Sequence, residues 1–311
     1  MIRTSRQLKA LVRNMSKGNS AKAQIIIRNY VVERFLERLS VSPYRDNLVL
    51  KGGVLVAAVV GLDNRSTLDV DATIKSLPLS EESARKIVED VTSVPIDDGM
   101  AFEINSVVPI MDDAEYPGIR VTLEATLETM RTPLKIDFST GDVITPREIM
   151  YSYKLLFEDR AISILTYNLE TVLAEKLETL IARGTANSRM RDFYDIFTLE
   201  NTQSRNIDKT VLKTAFANTI EKRGSSAVVA DMDTIINEIE NSPEMIALWE
   251  NYRRRFEYAS NIGWSDVMQA VKKLCSEIKL ILSILVSVNF CLNIDYVTSS
   301  RNVEILQWSV A

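Results

Sequence analysis

The chain has 311 residues, 46% hydrophobic and 25% charged, with a net charge of −5 and a pI near 5.2, an ordinary globular balance long enough for one large domain or two. It contains no histidine, which excludes Ser-His-Asp and Cys-His catalysis and histidine-ligated zinc and leaves the chemistry to carboxylates, lysine and arginine. The two cysteines, Cys275 and Cys291, are too few for a disulfide framework and read as reduced thiols.

In chain order, Met1-Ile2-Arg3-Thr4-Ser5-Arg6 lacks the apolar run of a signal peptide, which predicts a cytoplasmic protein. Residues 5 to 40 carry helical periodicity, with Tyr30, Val31, Phe35 and Leu36 ahead of a Ser42-Pro43 break. The first 28 residues hold Arg3, Arg6, Lys9, Arg13, Lys17, Lys22 and Arg28 and no acid. Such a run, like Arg253-Arg254-Arg255, suits the phosphate backbone of an RNA, an acidic protein partner, or simply a solvated face.

The apolar strand Leu48-Val49-Leu50-Lys51 then meets Gly52-Gly53, and Val54 to Val60 forms a short helix ended by Gly61. Glycines at a strand-to-helix turn let backbone N–H groups approach an anion, and the helix aims its positive end at the same point. The following strand over residues 66–74 places Leu68, Val70 and Ala72 on one face and Asp69 and Asp71 on the other. At a rise of about 3.3 Å per residue those two carboxylates lie roughly 6.5–7 Å apart, a spacing that can hold Mg²⁺ ions which also ligate a triphosphate.

Ser80-Glu81-Glu82-Ser83 opens another helix, and Asp98-Gly99 turns into a strand from Met100. The strongest strand signal follows. Ile119, Val121, Leu123, Ala125 and Leu127 alternate with polar residues, and a Thr132-Pro133 turn leads into Leu134-Lys135-Ile136-Asp137-Phe138-Ser139, which reads as a hairpin. Leu134, Ile136 and Phe138 face the core, and Asp137 joins the opposite face, beside Asp69 and Asp71 if the strands neighbour. Three acids can bind two metals about 3.5–4 Å apart. Taken singly, each is also explained by a solvated strand face. Gly141-Asp142 and Thr145-Pro146 close the mixed region, and from about Tyr167 the chain reads as mostly helical, without repeats.

Asn168 is an N-cap for a helix carrying Leu169, Val172, Leu173, Leu177, Leu180 and Ile181 up to Gly184. Lys176 borders that inward stripe, where it either snorkels past the apolar side chains or meets an anion. Asp192 and Asp195 share one side of the next helix, and capping or pairing with Arg189 or Arg191 is the structural reading for both. The uncharged stretch 280–294 has 15 residues, short of the ~20 that span a bilayer, so no membrane partner is expected.

Lys51-Gly52-Gly53 with Arg65-Ser66-Thr67-Leu68-Asp69-Val70-Asp71 resembles the signature of the AbiEii/AbiGii nucleotidyltransferase toxins, a branch of the DNA-polymerase-beta-like superfamily. Leu134-Lys135-Ile136-Asp137 resembles the family's third-carboxylate strand. Ala174-Glu175-Lys176-Leu177-Glu178 and Arg189-Met190-Arg191-Asp192-Phe193-Tyr194-Asp195 resemble its helical motifs. The resemblance covers about residues 5 to 270. It departs at Val54, where many members carry Ser or Thr.

The resemblance implies an α+β fold: an N-terminal helical segment over 1–46, a nucleotidyltransferase core with a mixed sheet over 47–160, and a mostly helical region over 161–311 that completes the active site. It implies transfer of nucleotides from a nucleoside triphosphate with Mg²⁺, tRNA as acceptor, and a cognate antitoxin, in a toxin–antitoxin or phage-exclusion setting. Asp69, Asp71 and Asp137 would hold the metal and Gly52, Gly53, Thr67 and Lys176 the nucleotide. Asp192 would orient Lys176 or act as a base toward the incoming hydroxyl. A small-molecule or protein hydroxyl as acceptor, and a catalytically silent nucleotide-binding protein, are the alternatives.

Overall fold

The computed structural model describes residues 1–65, 67, 69–110 and 118–279. Ser66, Leu68, the uncharged stretch 280–294 with Cys291, and the end 305–311 lie outside the described residues. Two helices open the chain, α1 (Ser5–Ser16) and α2 (Ser20–Ser40). Thr4 caps α1 through a reciprocal bond pair with Gln7, and Asn19 caps α2 by accepting from the Lys22 N–H.

The expected strand–glycine–helix unit forms as β1 (Leu48–Lys51) and α3 (Gly52–Val60), with Gly61 as C-cap. Then follow β2 (Asp69–Ile74), α4 (Glu81–Thr92) behind a Ser80 capping box, β3 (Met100–Ile110), β4 (Gly118–Leu127) and β5 (Met130–Thr140). The β4–β5 hairpin is present, but its turn is Glu128-Thr129, closed by Leu127 opposite Met130, and not Thr132-Pro133. Glu128 adopts φ +54 there.

Pro133 fits inside β5 for a specific reason. Counting from the hydrogen-bonded closing pair, position 133 directs its nitrogen away from β4. On that side, among the described residues, β2 pairs with β5 from Lys135 onward.

The sheet also continues past Pro146, where the sequence reading closed it. A second hairpin, β6 (Ile149–Lys154) and β7 (Ala161–Thr166), completes seven strands in the order β3-β4-β5-β2-β1-β7-β6. The β2–β5 and β1–β7 pairs are parallel and the rest antiparallel. Strand β6 lies at the sheet edge with one buried residue, Tyr153, so its alternation is weak in the sequence.

The chain then turns helical: α5 (Leu169–Arg183), α6 (Met190–Gln203), α7 (Lys209–Arg223), α8 (Ser226–Ala230), α9 (Met232–Asn241), α10 (Pro243–Arg255) and α11 over 264–279. Asn168 caps α5 by accepting from the Thr171 N–H, as its sequence predicts.

Alternation assigns the two faces of the sheet. Leu48, Leu50, Val70, Ala72, Leu134, Ile136 and Phe138 pack with α2 and α4 in one core, each of the larger buried side chains contributing roughly 1.5–3 kcal/mol. Val49 points the other way, into a second core formed by α3 and the C-terminal helices. The acid-bearing positions of β2 and β5 therefore face the helical half of the chain.

The C-terminal half of α2 is buried all round, charges included. Arg38 forks onto Asp98 at 2.7 and 2.8 Å, Arg34 pairs with Glu37 at 2.7 Å, and Glu33 accepts from the Leu156 N–H at 3.1 Å. These contacts tie α2 to the segment before β3 and to the β6–β7 connection. No helix among the described residues is long and apolar enough to cross a membrane.

Candidate active site

A cavity of about 250 Å³ opens between the polar face of the sheet and helices α5, α6 and α7. Gly52, Asp71 and Asp137 line it from the sheet side, and Lys176 and Asp192 line it from the helices. Five of the eight expected site residues are thus gathered in one place. Asp69, Gly53 and Thr67 stand next to it without lining it.

The register makes the acid pair. Strands β2 and β5 run parallel with Asp71 opposite Asp137 and Asp69 opposite Lys135, so two carboxylates project side by side from neighbouring strands. Burial pushes the Asp71 carboxyl up to about 6; Lys51 opposes that shift, while the charges of Asp137 and Asp69 reinforce it. Asp137 accepts a forked pair of bonds from Arg120 at 2.8 and 2.6 Å.

The glycine turn is built around Asp71. Gly52 has φ +65, a conformation that favours glycine, and a Cβ there would stand 2.1 Å from the Asp71 Oδ2. The Gly53 N–H donates to the Asp71 carboxylate, so that carboxylate takes the anion position at the start of α3. A Cβ on Gly53 would meet the Thr67 hydroxyl at 2.8 Å. Val54, at the position of the family departure, is buried in the core.

On the helical side, Lys176 does meet anions: its ammonium sits 2.8 Å from Asp192 and 2.7 Å from Asp195. Burial alone would lower its pKa, but the two carboxylates outweigh burial and leave it raised. Asp192 also accepts from Arg189 at 3.1 Å. Asp195 differs from expectation. It is fully buried and pairs with Arg65 at 2.6 Å and with Lys176, not with Arg189 or Arg191. Those two cations hold its carboxyl below the ordinary range against the opposing effect of burial.

Several lining residues carry no assignment from sequence: Lys51, Asp142, Glu175, Arg189 and Arg223. Lys51 bonds Asp142 at 2.7 Å, and Asp142 also accepts from the Ser139 hydroxyl at 2.6 Å. Burial would raise the Asp142 pKa; Lys51 and the hydroxyl donors bring it down to about 2. Arg223, from the last turn of α7, binds Glu178 at 2.5 Å and lies 3.7 Å from Glu175. Lys51, Glu175 and Arg189 do stand inside the quoted motifs, which was the available signal. Asp142 sits in what reads as a turn, and nothing near Arg223 marks it.

The donor chemistry fits a hard divalent cation, since Asp71 and Asp137 offer carboxylate oxygens side by side and their mutual repulsion is what such a cation relieves. As the side chains stand, Asp137 is forked onto Arg120 and Asp71 faces Gly53. Among the described residues no group of three or more such ligands is positioned to hold a metal.

Comparison with known proteins places this geometry in context. The family described as "Nucleotidyl transferase AbiEii toxin, Type IV TA system" matches residues 34–273, well over half of the chain. The chain belongs to the AbiEii nucleotidyltransferase toxin family. It is accordingly a nucleotidyltransferase, with a nucleoside triphosphate as substrate and an antitoxin partner. No curated protein matches the chain. Among solved structures, one described as "putative nucleotidyltransferase from H. pylori" is 14% identical, covering 83% of this chain and 97% of that one with a TM-score of 0.47. JHP933 from Helicobacter pylori is 13% identical, covering 86% and 98% with a TM-score of 0.46. In this AbiEii-family chain the match begins inside α2, so α1 lies outside it.

Proposed function

We propose that the cavity between β2–β5 and α5–α6 is the nucleotidyl-transfer centre, and that the acceptor is RNA, with tRNA as the class the family resemblance implies. The observation that carries this reading is the Asp71–Asp137 pair beside Gly52-Gly53, facing Lys176 and Asp192 across one cavity. The phosphates of the triphosphate take the N–H groups at the start of α3, with Lys51 and Lys176 supplying positive charge. Thr67, touching the Gly53 position, fixes that turn.

Asp71 and Asp137, with Asp69 at the edge, are the ligands proposed for Mg²⁺, which when bound supplies Lewis-acid stabilisation of the leaving pyrophosphate. An acceptor hydroxyl oxygen gives its proton to solvent water and forms a bond to the α-phosphorus, while the bond from that phosphorus to the bridging oxygen of the leaving pyrophosphate breaks. Both oxygens of Asp192 already engage cations, Lys176 at 2.8 Å and Arg189 at 3.1 Å. That favours Asp192 as the group orienting Lys176 over Asp192 as the proton acceptor.

Incubation with each labelled triphosphate, total RNA and cell extract tests the reading, with label expected in the RNA fraction. Label in small molecules or protein would replace the acceptor, and nucleotide binding without pyrophosphate release would replace the activity. Asp71→Asn should abolish transfer without lowering the melting temperature, because the side chain keeps its shape and loses a charge that burial disfavours. Retained transfer in that variant would refute the metal assignment.

A further inference from the structure

We propose that the half-buried rings of Tyr252, Phe256 and Tyr258, together with Arg254 and Arg255, form a docking surface for single-stranded RNA next to the transfer cavity. The inference rests on RNA being the acceptor and adds where the strand lies.

The rings form a cluster in which Phe256 and Tyr258 are stacked and Tyr252 tilts against Phe256 at 44°. Phe256 and Tyr258 lie 5.3 Å apart at 22°, Tyr252 and Phe256 4.7 Å apart, and the hydroxyls of Tyr252 and Tyr258 meet at 3.0 Å. The Arg255 guanidinium covers the Phe256 ring at 5.4 Å, while Arg254 and Arg255 are exposed. Arg253 is pinned to the Ser260 carbonyl at 2.6 Å and to Glu250 at 3.1 Å, which fixes this corner of the surface. Glu250 and Glu257 border the patch, so its excess positive charge is small. A surface that combines stacked rings and guanidinium planes with modest charge suits unpaired bases better than a duplex backbone, which needs a broad basic footprint.

Its position connects it to the chemistry. Tyr194 of α6 packs on Tyr258 at 4.8 Å. Arg65 lies near both Tyr252 and Tyr258, binds Asp195, and reaches within 3.2 Å of where a Gly53 Cβ would stand. One arginine therefore separates the rings from the glycine turn. Helix α1, which with its C-cap carries the exposed Arg6, Lys9, Arg13 and Lys17, packs instead with α2 through Leu8 and Val12, on the opposite face of the sheet from the cavity.

Binding of a fluorescent 12-nucleotide single-stranded RNA to the full chain, followed by anisotropy over a range of salt, tests the proposal. The Arg254→Glu/Arg255→Glu variant should bind at least tenfold more weakly, and its salt slope should fall by about 1.4, two phosphate contacts at about 0.7 each. Phe256→Leu keeps the apolar packing and loses the ring, and should bind roughly fivefold or more weakly. Triphosphate binding should be unchanged in both. RNA affinity within twofold of the unsubstituted protein in both variants overturns the proposal, including the case in which the surface serves a protein. If the unsubstituted protein binds RNA here yet never labels it, the acceptor assignment fails and the docking surface stands. If labelling and RNA affinity survive both variants, the docking surface fails and the acceptor assignment stands.

Discussion

Replacing Asp195 by Asn tests whether the second acid of α6 is part of the frame that carries Lys176. The substitution preserves volume and removes one negative charge from between two cations, Arg65 at 2.6 Å and Lys176 at 2.7 Å, at a site with no solvent exposure. Breaking a buried ion pair by removing one partner costs about 3–5 kcal/mol, because the remaining charge stays desolvated. At roughly 2–4 °C per kcal/mol for a chain of this class, the melting temperature should fall by about 6–20 °C. Asp192→Asn is the internal control: Lys176 keeps Asp195, and Arg189, about half exposed, can turn to water, so the drop should be smaller. The Asp195 carboxyl sits below its ordinary pKa, so the stability it lends is present above that ordinary value and lost on acidification; the Asn variant should lack this loss. Thermal unfolding followed by circular dichroism decides the matter, and the reasoning fails if Asp195→Asn melts no lower than Asp192→Asn.

Burial pushes Glu33 up to about 7 from an ordinary 4.5, so the folded state resists its ionisation and stability should fall by about 3 kcal/mol as pH rises from below 4.5 through 7. In Glu33→Gln that fall should vanish, and urea midpoints at pH 5 and pH 8 that shift equally in both proteins would contradict it. Gly52→Ala places a Cβ 2.1 Å from Asp71 at φ +65, whereas Gly18→Ala, at φ +83, meets nothing within 4 Å among the described residues. Both should lose the ~1–2 kcal/mol of a left-handed backbone position, with a further loss only at Gly52; equal losses by chemical denaturation would show that Asp71 yields freely.

The parts of the fold legible in the sequence are those written in local periodicity. Leu48-Val49-Leu50 before two glycines, the Val70/Asp71 alternation, the strand from Ile119 and the Asn168 cap each depend on neighbours within a few residues, and each forms where expected. The position of the β4–β5 turn did not follow, because Thr-Pro is ordinarily a breaker, yet Pro133 sits inside β5 where its nitrogen points away from β4. The β6–β7 hairpin was hidden for a related reason: an edge strand exposes most of its side chains and carries little alternation.

Partners that meet across the fold leave no such trace. Lys51 and Asp142 are 91 residues apart, Arg65 and Asp195 130 apart, and Arg223 and Glu178 45 apart. The sequence shows each charge, and only the topology shows which one neutralises it. The cavity that results is internally compensated: Lys51 by Asp142, Lys176 and Arg189 by Asp192, and Arg223 by Glu178. Even the Gly53 N–H, the group suited to a phosphate, is taken by Asp71. On the proposed reading, a triphosphate seated there exchanges anion for anion, turning Asp71 away from the glycine turn as it enters. On that reading, since burial and then the charges of Asp137 and Asp69 raise the Asp71 pKa, the exchange releases a carboxylate its surroundings hold unfavourably, and the glycine turn and the acid pair act as one site.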